Sequence, residues 1–167
     1  RIDLSLTADL IRRFDSDIVG LNEIRGEGVQ EDYTDQTKTI ADLLGYHYYF
    51  GPSIVFPNRG PYGNAIVSKY PIAHAEVIPI PDPIVKDEKA YYETRSFLKA
   101  EFDIAGGFSV LISHFGLAKA ERRNAVATLI DILKEQKKPC IFMGDLNMTP
   151  DDELVRTISE QLQDTAV

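Results

Sequence analysis

Apolar residues along the chain fall into short blocks separated by Pro, Gly, Asn and Asp, and the spacing inside each block predicts its element. Leu6, Leu10 and Phe14, with Ile11 beside them, recur at helical spacing and predict an N-terminal helix with these residues on its core face, capped by Ser5 or Thr7. Asp17–Leu21 reads as a buried strand finishing at Asn22-Glu23, and the polar stretch Arg25–Gln36 as a loop. Thr37–Leu44 is a short helix with Gly45 as its C-cap. Tyr46–Phe50 is an aromatic strand, and Gly51–Pro61 is rich enough in Pro, Gly and Asn to predict a loop. Asn64–Ser68 and His74–Ile80 follow as strands around the Tyr70-Pro71 corner.

Pro79, Pro81 and Pro83, with Lys86 to Lys89, predict a surface excursion. Ser96–Ile104 and Phe108–Ser113 form a hairpin through Ala105-Gly106-Gly107. Val126, Leu129, Ile130 and Leu133 mark the apolar face of a long helix over Ala118–Gln136, its exposed end carrying Lys134, Lys137 and Lys138. The strand Cys140–Gly144 and a short helix opened by Pro150-Asp151 complete the pattern. Hairpins mixed with helix–strand units indicate a single layered α/β or α+β domain.

Composition narrows the function little. With 44% hydrophobic and 26% charged residues, the 167-residue chain has the make-up of an ordinary soluble domain. A net charge of -8 speaks against a partner held mainly through many phosphate contacts, although a bound cation can reverse the sign inside a cleft. The single cysteine, Cys140, excludes an internal disulfide framework, and its apolar neighbours predict a buried, inert thiol. No apolar run approaches the ~18 residues of a membrane span. No signal peptide is evident, but chain ends can be trimmed, so a cytoplasmic and an exported protein are both open.

The chemistry lies at strand ends. Three apolar strands each finish at a polar group: Glu23 after Ile18–Leu21, His114 after Val110–Ser113, and Asp145 after Ile141–Gly144, with Asn147 two residues on. Taken singly, such a Glu is a solvated side chain, such a His satisfies a backbone group, and Asp-Leu-Asn before Pro is turn chemistry. Ligands of open α/β sheets gather outside the carboxyl ends of strands, so three coincident ends predict one cleft. Two carboxylates with an amide and water match Mg²⁺, whereas Zn²⁺ would require a His/Cys set that is absent. In such a cleft His114 can donate to a phosphate oxygen, Asp145 can orient an attacking water, and Asn147 can bind the phosphate or that water.

Five motifs in order make the chain resemble the endonuclease/exonuclease/phosphatase superfamily. They are Asp17–Ile24, ending in Asn22-Glu23; Tyr62–Ile72, with Gly63-Asn64 and the Tyr-Pro corner; Glu93-Thr94-Arg95; Ser113–Leu117 with Glu121-Arg122; and Gly144-Asp145-Leu146-Asn147-Met148-Thr149-Pro150. The resemblance implies a DNase I-like four-layer sandwich, two mixed β-sheets flanked by helices, with Mg²⁺ or Mn²⁺ at one end. It implies a metal-dependent phosphoester hydrolase in which Glu23 ligates the metal, Asp145 activates the water, and His114 and Asn147 contact the scissile phosphate. Asn64 and Arg95 become candidate substrate contacts, with strand packing and an ion pair to Glu93 as their alternative roles. The expected substrate is a phosphodiester, a nucleic acid or a phospholipid head group, with the loops Gly51–Pro61 and Pro79–Lys89 setting specificity.

The chain also departs from the family pattern. Family members begin with a strand bearing an Asn near the metal and end with an Asp-His pair on a final strand, and neither has a counterpart between Arg1 and Val167. Asn124 stands where the family helix carries a Gln. A domain without its first strand and C-terminal strands is expected to turn over poorly by itself and to self-associate through open sheet edges. The alternative reading is a non-catalytic binding or scaffold domain that keeps the fold; a metal-independent nucleotide- or carbohydrate-binding domain is a weaker third.

Overall fold

The structure, a computed structural model, describes residues 2–28, 34–87 and 89–165. Among the described residues seven strands and four helices follow one another as α1 (Leu4–Phe14), β1 (Ile18–Arg25), α2 (Gln36–Leu44), β2 (His47–Phe56), β3 (Gly60–Ser68), β4 (His74–Pro79), β5 (Ser96–Phe102), β6 (Phe108–His114), α3 (Lys119–Glu135), β7 (Cys140–Asp145) and α4 (Glu153–Ser159). They make two facing sheets. One has the order β1-β3-β2 and is antiparallel; the other has the order β4-β5-β6-β7 and is mixed, because β7 runs parallel to β6. Among the described residues no helix is long and apolar enough to cross a membrane.

The period-two alternation of the strands explains the layers. On β3, Ile66 points into the space between the sheets with Leu98, Ala100, Val110 and Ile112, while its neighbour Val67 points outward to Ile11, Ile40 and Ala41 of α1 and α2. On the other sheet Phe97 and Leu111 face outward onto Ala125, Val126 and Leu129 of α3 and Ile158 of α4. Helix, sheet, sheet, helix is the four-layer sandwich that the resemblance implied.

Three features, on two elements, differ from expectation. The strand after α2 does not stop at Phe50. It continues to Phe56 and pairs with β3 from His47↔Ser68 to Phe56↔Gly60, so most of the predicted Gly51–Pro61 loop is hairpin. Pro52 is tolerated because β2 is an edge strand and the register shifts between Pro52 and Ile54, a place where a missing N–H costs no ladder bond. The cap of α1 is Asp3, which accepts from Ser5 N at 3.0 Å, rather than Ser5 or Thr7. Finally, of the apolar face expected on α1 only Ile11 turns inward, together with Ala8, whereas Leu6, Leu10 and Phe14 stand 67%, 54% and 71% exposed. The small Ala8 lets α1 lie close on α2, where Arg12 also donates to Leu43 O at 2.8 Å. Of the loop expected at Arg25–Gln36, residues 29–33 lie outside the described residues, as does Glu88 of the proline-rich excursion.

The remaining elements lie within a few residues of their predicted bounds, and Gly45 caps α2 in the left-handed conformation as expected. Cys140 is half-buried on β7, and burial pushes its thiol up to about 11, well outside the range of a reactive thiolate. Close approach of the sheets near the strand ends depends on Gly20, where a Cβ would lie 2.7 Å from Met143 Sδ.

Candidate active site

Glu23, His114, Asp145 and Asn147 do come to one mouth, at the ends of β1, β6 and β7. Parallel pairing sets His114 opposite Asp145 in register. The strand end at Asp145 depends on Gly144, whose φ of +143° and proximity to Ser113 O leave no room for a Cβ. Beyond it the backbone turns sharply: Asn147 sits at φ 50°, its N–H donates to Asp145 Oδ1 at 2.8 Å, and its Nδ2 donates to Phe115 O at 2.8 Å. These bonds fix one oxygen of the Asp145 carboxylate and leave Oδ2 4.0 Å from His114 Nε2.

On the opposing sheet the register of β1 shifts between Leu21 and Ile24, and Glu23 takes a positive φ of 60°. The bulge throws Glu23 outward into solvent and turns Asn22 inward. Asn22 then joins both sheets: Nδ2 donates to Asn64 Oδ1 at 2.7 Å and to Ser113 O at 3.2 Å, and Oδ1 accepts from Asp145 N at 3.1 Å. Asn64 Nδ2 donates to Ser96 O at 3.1 Å, an oxygen that also accepts from Ser113 Oγ at 3.0 Å. The floor of the mouth is thus a polar tie across β1, β3, β5, β6 and β7. Sequence reasoning overlooked Asn22, although its place immediately before the candidate metal ligand was a usable signal.

Two expected substrate contacts are engaged inside the protein. Asn64 is 2% exposed and has both ends of its carboxamide bonded to Asn22 and Ser96. The Arg95 guanidinium lies between Glu93, with Nη2 2.7 Å from Oε2, and the His114 ring, with Nη1 2.9 Å from Nδ1. This is the ion pair to Glu93 anticipated as its alternative role. Of the two loops expected to set specificity, Gly51–Pro61 is mostly strand, while Pro81 and Pro83 of the second border a small depression beside Glu93, Arg95 and Gly116.

Electrostatics at the mouth follow from burial and neighbours. His114 is 8% exposed, and burial, then the Arg95 charge, hold its pKa below the ordinary 6.5 despite the carboxylates of Asp145, Glu23 and Glu93. The ring is neutral at neutral pH. Tyr62 is pushed up to about 12 by burial and by the carboxylates of Glu23 and Glu93. Its ring lies under Arg25, whose Cζ is 5.5 Å from the centroid. Tyr62 therefore stays a phenol and a donor.

Besides the His114 ring, the side chains at the mouth, Glu23, Asp145 and Asn147, offer oxygen to a cation. Among the described residues no three His, Cys, Asp or Glu side chains cluster as a metal cage. Mg²⁺ needs no such cage, because it keeps several waters and binds through one or two carboxylates and substrate phosphates. The solvent-facing Glu23 carboxylate, with Asp145 and Asn147 across the mouth, fits a hydrated Mg²⁺ or Mn²⁺ and does not fit Zn²⁺.

A family model described as "Endonuclease/Exonuclease/phosphatase family" matches residues 2–165. Among curated proteins, the chain is 27% identical over 139 residues to Protein cwh43 of Schizosaccharomyces pombe, covering 81% of this chain and 13% of that protein. It is 28% identical over 149 residues to the uncharacterized protein YbhP of Escherichia coli K12, covering 83% of this chain and 56% of YbhP. Among solved structures, an endonuclease/exonuclease/phosphatase from Beutenbergia cavernae superposes with a TM-score of 0.73 at 26% identity, over 91% of this chain and 44% of the other. The chain thus spans little more than half of YbhP and a small part of cwh43.

Proposed function

Because this chain belongs to the Endonuclease/Exonuclease/phosphatase family, we propose that its mouth carries out metal-dependent phosphoester hydrolysis, with water attacking in line at phosphorus. The observation that best supports this reading is the pairing of His114 and Asp145 at adjacent parallel strand ends, tied to the Glu23 strand through Asn22. Asp145 has one oxygen anchored by Asn147 N–H and the other open to the mouth, so it can aim a water and take its proton. As the water oxygen bonds to phosphorus, the ester P–O bond breaks and the departing oxygen is protonated from solvent. His114 is neutral and donates to a non-bridging phosphoryl oxygen, and Asn147 holds the phosphate against the turn. Glu23 would hold Mg²⁺ or Mn²⁺, which when bound polarises the phosphoryl group and offsets developing charge.

The net charge of -8 favours a small phosphodiester or a phospholipid head group over sequence-blind binding of a polynucleotide. No observation favours the non-catalytic scaffold reading. Calorimetric titration with Mg²⁺ and Mn²⁺, followed by orthovanadate as a phosphate analogue, tests the proposal. Metal binding is expected in the wild type and lost in Glu23→Gln, with vanadate binding weakened in His114→Gln and Asn147→Ala. A wild-type protein that binds neither metal nor vanadate would end this reading.

A further inference from the structure

A chain of polar contacts near the mouth runs from Glu121 through Glu93 and Arg95 to the His114 ring. Arg95 sets Nη1 2.9 Å from His114 Nδ1, while its Nη2 is held 2.7 Å from Glu93 Oε2, and the Arg95 and Glu93 side chains are each 11% exposed. Glu93 is itself anchored, its backbone N–H donating to Glu121 Oε1 at 3.0 Å. The buried Arg95 Nε has no hydrogen-bond partner among the described residues, so the guanidinium is placed for its two Nη contacts.

A guanidinium carries five N–H donors and no acceptor, and it keeps its proton in proteins. The contact at Nδ1 therefore closes only when Nδ1 presents a lone pair. In a neutral imidazole that places the hydrogen on Nε2, the nitrogen 4.0 Å from Asp145 Oδ2 and facing the mouth. The other tautomer would set N–H against N–H, and an imidazolium would press two cations together in a buried site.

We infer that Arg95 is a positioning residue that locks His114 as the Nε2–H tautomer, making the mouth side of the ring a fixed hydrogen-bond donor and denying it the lone pair of a general base. That the donor serves a phosphoester oxygen rests on the function proposed above; the tautomer itself does not. The arrangement divides the labour between the paired strand ends: Asp145 accepts a proton, and His114 only donates a hydrogen bond.

Long-range ¹H–¹⁵N correlation spectra at neutral pH read the tautomer directly, with His114→Gln identifying the signals among the three histidines. The expected wild-type pattern is a pyridine-type Nδ1 and a pyrrole-type Nε2. Arg95→Met, similar in length but without a donor, is expected to give a mixture of tautomers, and Arg95→Lys to retain the wild-type pattern. A pyrrole-type Nδ1 in the wild type, or an unchanged pattern in folded Arg95→Met, overturns the proposal. Should circular dichroism show Arg95→Met unfolded, the wild-type and Arg95→Lys spectra decide it by the same criterion. A protein with the expected tautomer but no metal or phosphoester chemistry supports the lock and refutes only the function proposed above.

Discussion

Beneath the mouth, Asn22, Asn64, Ser96 and Ser113 are linked by directed hydrogen bonds that cross from one sheet to the other. Along the outside of α1, Leu6, Leu10 and Phe14 form a stripe of similar length that touches little and faces water. The polar group is buried and the apolar group exposed, the reverse of what residue type alone would assign. Buried polar ties contribute position: a carboxamide satisfied at both ends holds strands in one register, where an apolar contact would permit sliding. The outer stripe contributes nothing comparable within the described residues, and the helix is held instead by Ala8 and Ile11 on its inner side.

Substitutions can break that contrast, beginning with the chemistry the floor supports. Asp145→Asn is expected to cut phosphoester turnover by about 10²–10⁴-fold, the usual contribution of a positioned proton acceptor, while leaving the melting curve in place. Steady-state hydrolysis of an aryl phosphodiester with Mg²⁺ measures this. Asn64→Leu should cost about 1–3 kcal/mol, chiefly through the one Asn22 Nδ2 hydrogen it strands, since Ser96 O keeps its bond from Ser113 Oγ, and urea denaturation would register the loss. Equal stability in the variant would show that the tie is decorative. On α1, Ile11→Ala should cost about 2–5 kcal/mol as a core truncation. Leu10→Ser on the opposite stripe should stay within about 0.5 kcal/mol.

The smallest expected effect is that of pH. His114 has a folded pKa below its ordinary 6.5, so the unfolded chain binds the proton more readily. Its contribution to stability is full above that ordinary value and declines as pH falls through it toward the folded pKa, with a slope no steeper than about 1.4 kcal/mol per pH unit. Denaturation midpoints between pH 7 and pH 5 should flatten in His114→Gln relative to the wild type. A wild-type curve that rises on acidification would reverse the assigned sign.

Much of this site could be read from the chain because strand ends announce themselves. An apolar run that stops at Glu23, His114 or Asp145 places that residue at an edge whatever the topology, and Gly144 before Asp145 marks the tight approach. What could not be read depends on partners distant in sequence. The bulge that exposes Glu23 and turns Asn22 inward arises from pairing with β3, some forty residues on. The length of β2 is set by the same strand, which overrides the turn chemistry of Pro52 and leaves the turn to Pro57–Arg59. The α1 helix carries two apolar stripes, and periodicity cannot say which is inward; the shape of α2 decides for the smaller one.

Glu121, in the first turn of α3, accepts from Ala118 N through one carboxylate oxygen and from Glu93 N through the other. A saturation-mutagenesis map scored on phosphoester turnover should therefore show a sharp dip at position 121, a helix residue with no chemistry of its own. Even Glu121→Gln should reach the mouth by loosening the segment that aims Arg95. Breeding faster variants of this protein would mean leaving that helix start untouched while diversifying the exposed rim around Leu117 and Tyr91.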